Sequence, residues 1–516
     1  MKLADILTDV EVVGLSGPTD IEIEGIACDS RLVRERFLFA AIRGEKLDGG
    51  LFIPDAVKRG ATAVMSESLD APPEVEAASS PAIAGQDAAS TDVTWIHVSG
   101  TRRALAQAAA NFHAYPSESL GLVGITGTNG KTTVCHLIRH ILEQAGYPCG
   151  MIGTITYRVG DEVIPADRTT PDSLLLNSLL AKMRTKGCRY AVMEVSSHSL
   201  EQQRVEKLDF DVAVFTNLTR DHLDYHGTLE NYLRAKALLF ESLSPQHKNG
   251  FPRCAVVCVD QPEGEYIAAR THVQVVSYGL SSNAEVTAEN VRLHPQGCSF
   301  TACTPWGNFE IASCLIGRHN VLNMLAAAAV GLSQGVEIST IQQAVATASP
   351  VPGRLEFIRN DRGCSVVVDY AHTDDALKNV LTALREITKG KLIVVFGCGG
   401  DRDRGKRSKM GEVVNRLGDF AVVTSDNPRS EDPLEIIGEI LSGFERGKVA
   451  SWGPRAGSPS HLVEPDRRKA IAAAISIAAE GDTVLIAGKG HETYQEFRDY
   501  RIHFDDREVV REVVRT

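Results

Sequence analysis

Along the chain, short apolar runs rich in Val, Ile and Phe alternate with longer segments whose apolar residues recur every three or four positions. The first pattern is that of strands buried on both faces, the second that of helices lying against them. The runs are Leu120–Thr126, Tyr190–Ser196, Phe210–Asn217, Ser365–His372, Lys391–Gly397, Phe420–Asp426 and Thr483–Gly488. Their alternation with helical segments predicts an α/β protein of parallel sheets covered by helices. Each run ends in a polar or glycine-rich cluster: TGTNGKTT, EVSSH, TNLTRDH, DYAHTDD, GCGGDRDRGKR, SDNPR and GKGHE. Ligands of open α/β sheets bind beyond the carboxyl ends of strands, so these clusters predict composite sites in clefts between domains.

Two stretches break the pattern. Ala71–Thr91 is rich in Ala, Ser and Pro without an apolar face, which predicts a flexible insertion, and Gly453–Pro465 predicts a second loop. A chain of 516 residues holds two to four domains. We place an N-terminal domain at 1–99, a central domain at 100–350 and a C-terminal domain at 351–516, with a hinge at Pro350–Pro352. Composition narrows the function. The net charge of −12 argues against a protein that mainly grips nucleic acid or an anionic membrane. The 11 cysteines show no CxxC pair; the closest, Cys254 with Cys258 and Cys298 with Cys303, sit in strand-like sequence and read as reduced thiols. The N-terminus carries acids where a signal peptide has its apolar stretch, and no run spans a bilayer, so a cytoplasmic enzyme is expected.

GITGTNGKTT follows an apolar strand and opens a helix with Val134, Leu137, Ile138, Ile141 and Leu142 on one face. Gly127 and Gly130 let backbone N–H groups approach phosphate oxygens, and the helix N-terminus adds partial positive charge. Lys131 would reach the β/γ-phosphates and Thr132 would ligate Mg²⁺. Ile125 stands where the ordinary P-loop has its first glycine, which weakens a generic GTPase or motor reading. Glu194 ends a buried strand, where a carboxylate is a ligand or costly. Asp221, His222, Asp224 and His226 crowd one loop, read either as a metal site or as an N-cap (Asp221) with ordinary loop histidines. Lys236 lies on a helix among apolar residues and reads as a snorkelling surface lysine.

TGTNGKTT, EVSSHSL, TNLTRDHLDYHG, GRHNVLNMLAA, PGRLE and DYAHTDDAL, in this order, closely resemble the Mur ligases of peptidoglycan synthesis. The resemblance spans essentially the whole chain except Ala71–Thr91. It implies a cytoplasmic, monomeric enzyme with a UDP-binding N-terminal domain, an ATP-binding central domain and a Rossmann-like C-terminal domain. It also implies that Gly127, Thr128, Asn129, Gly130, Lys131, Thr132 and Thr133, with Asn320, Arg354 and Asp369, hold ATP. By the same resemblance Lys236 is carbamylated and joins Glu194, His222 and Thr132 around Mg²⁺, and Lys131, Glu194, His222 and Lys236 serve catalysis. On residues alone, Asn320 and Asn323 interrupt a helix and Arg354 is a surface turn residue.

For the UDP-N-acetylmuramoyl-dipeptide, the match points to Asp29, Ser30 and Arg31, then Thr169, Thr170, Ser196, Gln202 and Arg204. The implied reaction activates a D-glutamate carboxylate as an acyl phosphate, which an incoming amine then attacks. Asp426, Asn427, Pro428 and Arg429 match the form associated in this family with meso-diaminopimelate, and Arg402, Gly488 and Glu492 match the rest of that pocket. Arg binds the distal carboxylate bidentately while Asp takes the amine. L-Lysine, lacking that carboxylate, would leave a desolvated Arg429 unpaired. GGDRDRGKR alone also reads as a solvated basic loop, and DNPR as a turn before a helix. Rival readings are folylpolyglutamate synthetase, which lacks the UDP-binding domain and DNPR, and a P-loop switch, which leaves EVSSH, DYAH and GKGHE unexplained.

Overall fold

The computed structural model describes residues 1–44, 47–68, 93–246, 250–294, 297–446 and 460–515. An eight-stranded sheet forms its middle, in the order 274–278, 254–258, 212–215, 121–126, 190–194, 149–152, 156–159 and 162–165. The first six strands of that order run parallel and the last two antiparallel. Strands Gly121–Thr126 and Tyr190–Glu194 are buried at every residue, as sheets with helices on both faces require. Val123 and Ile125 face the helices Lys131–Gln144 and Arg318–Ser333, whereas Leu122 faces Ser173–Thr185 and Leu229–Glu241. The predicted helix face of Val134, Leu137, Ile138, Ile141 and Leu142 is wholly buried, each such side chain contributing about 1.5–3 kcal/mol over exposure.

Before this sheet lies a five-stranded one, in the order 12–16, 94–98, 61–66, 37–40 and 25–27, its first member antiparallel. After it come an antiparallel three-stranded sheet, 287–294, 297–303 and 309–313, and a six-stranded one. The six run 356–358, 365–369, 483–487, 392–396, 420–423 and 460–463, and all but 356–358 are parallel. Every predicted strand run is therefore a strand, and each ends before its polar cluster or at the cluster's first residue, for instance Val212–Phe215 before TNLTRDH and Tyr190–Glu194 on the Glu of EVSSH.

The predicted loop Gly453–Pro465 is corrected in part: Ser460–Val463 is an edge strand paired with Phe420–Val423. Its residues 453–459 lie outside the described residues, as does the expected insertion Ala71–Thr91. The paired cysteines do fall in strands, Cys254–Cys258 and Gly297–Cys303, and all 11 cysteines are free thiols. No helix among the described residues is long and apolar enough to cross a membrane.

Candidate active site

Side chains cap most helices near the cleft: Asp172, Thr228 and Thr373 each accept a hydrogen bond from a first-turn N–H. The helix Lys131–Gln144 is different. Its N-cap is Gly130, in the left-handed region at φ 87°, and no side chain caps it, which leaves its first amides to an anion. Gly127 must be glycine, because at φ 147° a Cβ would lie 1.9 Å from Thr216 Oγ1. Thr216 Oγ1 itself donates to Asn129 O at 2.6 Å, and Asn129 N donates to Asn217 Oδ1 at 2.9 Å, so the loop is tied to the neighbouring strand end.

One carbonyl in this loop carries two lysines. Gly127 O accepts from Lys131 Nζ at 3.0 Å and from Lys236 Nζ at 2.8 Å. Lys131 also donates to Thr128 O at 2.8 Å. The reading of Lys236 as a snorkelling surface residue is overturned: it is 1% exposed, with its Nζ 4.1 Å from the centre of the Tyr232 ring. Burial, reinforced by the nearby Lys131 charge, pushes its ammonium well below the usual lysine range. A neutral amine is thereby favoured.

Glu194, 1% exposed, accepts from Thr132 Oγ1 at 3.0 Å, Thr154 N at 2.8 Å and Thr154 Oγ1 at 3.0 Å. Thr132 and Glu194 thus form a buried set of hard oxygen donors of the kind Mg²⁺ takes. Among the described residues no group of three or more His, Cys, Asp or Glu is placed to hold a metal; the expected set has only two such residues, Glu194 and His222, with Thr132 and Lys236. His222 instead lies in the left-handed region at φ 53°, its ring 4.8 Å from that of His198. Burial holds it down to about 4, so it is neutral at pH 7. Asp221 is not the helix N-cap; that position is His222, whose N–H donates to Asp221 Oδ1 at 2.9 Å. Of the other two members of that loop, Asp224 lines the cleft, whereas His226 is buried against Ser197 Oγ at 2.9 Å.

The peptide-side candidates from this part of the chain form one cluster. Thr169 Oγ1 is 3.1 Å from Thr154 Oγ1, and Thr170 Oγ1 donates to Glu194 O at 2.9 Å and accepts from Ser196 N at 3.0 Å. Arg204 donates to Thr170 O at 2.9 Å and to Gln202 Oε1 at 2.5 Å. Ser30 sits apart, in the short helix Ser30–Leu32 beside the five-stranded sheet, with the exposed Arg31 paired to Asp29 at 2.6 Å.

The nucleotide candidates also occupy defined positions. Asn320 and Asn323 do not disrupt the helix Arg318–Ser333; both are buried and bonded to each other at 2.9 Å. Arg354 is half-buried, not a free surface turn, with its guanidinium 4.6 Å from the Tyr370 ring centre. Asp369 is buried and accepts from Leu355 N and Ala371 N, both at 2.7 Å, and burial raises its carboxyl.

A cleft of about 500 Å³ joins the middle sheet to the six-stranded one. Its walls include Arg220, Asp221 and His222 on one side and Arg402, Asp426, Asn427, Arg429, Gly488 and Glu492 on the other. Asn129 of the phosphate loop donates across to Asp375 Oδ2 at 3.0 Å. Gly488, at φ 115°, has no room for a side chain, since a Cβ would meet Asp426 Oδ2 at 2.4 Å. Pro428 places its carbonyl 1.9 Å from where a Cβ on Gly400 would stand, so the DNPR turn packs directly on the GGDRDR loop.

These two loops are tied together. Gly400 N donates to Asn427 O at 2.9 Å, Arg429 Nη1 to Gly400 O at 2.7 Å, and Ser430 Oγ to Asp401 Oδ1 at 2.5 Å. Arg407, fully buried, donates to both oxygens of Glu431, at 2.9 and 2.8 Å, and Glu431 accepts from Asp401 N at 2.6 Å. The solvated-loop reading of GGDRDRGKR therefore fails for Arg407. Arg407 holds Glu431 down to about 2, below the ordinary 4.5. A carboxyl depressed on folding stabilises above its unfolded pKa and loses that contribution as pH falls toward the folded one, here between pH 5 and pH 2. Glu431→Gln should remove that dependence, so its melting temperature should fall less than the wild type's between pH 5 and pH 3. Equal falls would refute the coupling.

Sequence reading missed Lys489 and Glu496. Lys489 is fully buried under the pocket, and Glu496 Oε2 accepts from Arg429 Nε at 2.8 Å. The GKGHE cluster was the available signal for Lys489; nothing local marks Glu496, which reaches Arg429 across the sheet end.

Comparison with known proteins agrees with this architecture. Residues 22–113 match the family model described as Mur ligase family, catalytic domain; residues 125–331 the Mur ligase middle domain; and residues 353–490 the Mur ligase, glutamate ligase domain. A UDP-N-acetylmuramoyl-L-alanyl-D-glutamate–2,6-diaminopimelate ligase of Geobacter metallireducens is 44% identical over 99% of this chain and 98% of its own. The enzyme of the same name from Geobacillus thermodenitrificans is 42% identical over 100% and 99%. A solved structure of a ligase of that name superposes with a TM-score of 0.67 at 31% identity, covering 100% of this chain and 99% of its own. With its matched segments in the family's order and relatives of this identity along its whole length, the chain belongs to the Mur ligase family.

Proposed function

We propose that the protein is an ATP-dependent amide ligase that adds meso-diaminopimelate to UDP-N-acetylmuramoyl-L-alanyl-D-glutamate in peptidoglycan synthesis. The observation that carries this reading is the cleft: Asp221 and His222 wall one side and a pocket of acids and arginines the other, and the phosphate loop with its uncapped amides is tied by Asn129 to Asp375, next to the cleft-lining Asp374. In this reading the D-glutamate carboxylate attacks the γ-phosphorus of ATP, ADP leaves, and the amine displaces phosphate from the acyl phosphate.

Lys131 and the amides after Gly130 hold and neutralise the phosphates. Asn320, Arg354 and Asp369 border the nucleotide, while Thr170, Ser196, Gln202 and Arg204 orient the peptide and Ser30 the UDP end. Thr132 and Glu194 would hold Mg²⁺, with His222 and a carbamylated Lys236 as further ligands. When bound, the ion would withdraw charge from the transferring phosphoryl oxygens. Burial of Lys236 supports carbamylation, since only the neutral amine adds carbon dioxide. Arg402 and Arg429 would take the distal carboxylate of diaminopimelate, and Asp426 with Glu492 its ammonium. We further propose a cytoplasmic monomer divided near residues 99 and 350.

The test is phosphate release with ATP, Mg²⁺ and the UDP-dipeptide, comparing meso-diaminopimelate with L-lysine. Turnover with diaminopimelate alone is expected. Equal turnover with lysine would overturn the pocket assignment, and none with either would overturn the ligase assignment.

A further inference from the structure

Beneath the pocket, one lysine holds together the two strand-end clusters that line it. Lys489 follows strand Thr483–Ala487 and is fully buried. Its Nζ donates to Asn427 Oδ1 at 2.9 Å and to Glu492 Oε2 at 3.0 Å, and lies 3.9 Å from Asp426 Oδ1. Asn427 is held at both amide atoms: its Oδ1 also accepts from Glu496 N at 3.0 Å, and its Nδ2 donates one N–H to Glu492 Oε2 at 2.9 Å. Asn427 is therefore a strut within the wall, and Lys489 fixes both it and Glu492.

The charges around it explain why a lysine stands there. Asp426 and Glu492 face the pocket as acids. Across from them Arg429 is shared with Glu496 at 2.8 Å, and Glu496 is itself shared with Arg501 at 2.6 Å, so Arg429 keeps much of its positive field. Without Lys489 the two acids would face a ligand uncompensated, favouring an end that carries only an ammonium and repelling one that also carries a carboxylate. With Lys489 one acid is cancelled from behind, in a buried setting where solvent screens little.

We infer that Lys489 is a specificity-determining positioning residue: it clamps Asn427 and Glu492 and sets the pocket's charge for an amino-acid end bearing both ammonium and carboxylate. This rests on the proposed function and deepens it, because it assigns discrimination against an ammonium-only end to a residue that does not touch the substrate.

The test is kinetic, on the full-length protein: kcat and KM for meso-diaminopimelate, and the inhibition constant of L-lysine against it. In Lys489→Met, the KM for diaminopimelate should rise about tenfold with kcat within about twofold, and L-lysine should inhibit relatively better by a similar factor. Lys489→Arg, which keeps the charge, should hold the preference for diaminopimelate to within about threefold of wild type. Where Lys489→Met does not fold, Lys489→Gln, which keeps a donor to Asn427 without the charge, is compared with Lys489→Arg and should show a preference about tenfold lower. Preference unchanged by removal of Lys489, with kcat and KM moving together, makes it a packing residue and overturns the inference. A wild-type protein without diaminopimelate-dependent turnover overturns the reading beneath it, and the inference with it.

Discussion

Lys131→Met is expected to lower ATP-dependent phosphate release by about a hundred- to a thousandfold while leaving the melting temperature within a few degrees of wild type. The two halves of this expectation have separate causes. Lys131 Nζ is bonded to carbonyls of its own loop, Gly127 O and Thr128 O, so its removal cuts no tie between distant elements. Gly127 O keeps Lys236 as a donor, and the loop remains fixed by Thr216 and Asn217. What disappears is a cation placed where charge develops on the transferring phosphoryl group, and no neighbouring side chain on this loop can replace it. Initial rates at saturating substrates, with a melting curve on the same preparation, decide the matter. An undiminished rate would remove Lys131 from the phosphate site.

Asp506→Ala should produce the largest loss of stability, about 3–5 kcal/mol, because it strands a buried guanidinium. Arg467 and Asp506 are both fully buried and joined by two hydrogen bonds, at 2.8 and 2.7 Å. Arg467 also donates to Ala487 O at 3.0 Å and Ser425 O at 3.5 Å, the residues immediately before Gly488 and Asp426. The pair therefore supports the floor of the pocket as well as the helix Asp506–Arg515. Hydrogen exchange of the amides in strand Thr483–Ala487 reports on this region, and their protection should fall by a matching factor. Replacing both partners, Arg467→Met with Asp506→Leu, should cost much less, since neither charge is then left unpaired. If the single and double replacements cost the same, the ion pair is not the cause.

Most of the α/β framework was legible because strands buried on both faces announce themselves as apolar runs, and the strand ends carry their chemistry in compact clusters. The boundaries were less so. Ser196 and Asn217 were read into strands, yet Ser196 caps a short helix and Asn217 turns its side chain to Asn129. Local pattern cannot see such choices, because a ladder stops where its neighbour strand stops. Lys236 shows the same limit more sharply. Its helix reads as amphipathic with an ordinary surface lysine, and only the return of the phosphate loop, 109 residues earlier in the chain, covers it. Resemblance to the family supplied its role, but its burial came from the fold. Lys489 and Glu496 escaped for a related reason: the partners that bring them to the pocket, Asn427 and Arg429, lie more than sixty residues away, across the open end of the six-stranded sheet.

The cross-tied loops bearing Arg402 and Arg429 have a consequence for substrate length. Arg407, Glu431, Asp401 and Ser430 join the two loops, so the backbones that carry the arginines are held together. Under the proposed function the two loops act as a gauge whose backbone is set by the fold. A diamino diacid one methylene shorter or longer would meet arginines whose backbones are already tied, leaving side-chain rotation alone to take up the difference. Altering which amino acid this scaffold accepts therefore means rebuilding both loops together, since a single exchange at either arginine changes the charge of the gauge and leaves its length untouched.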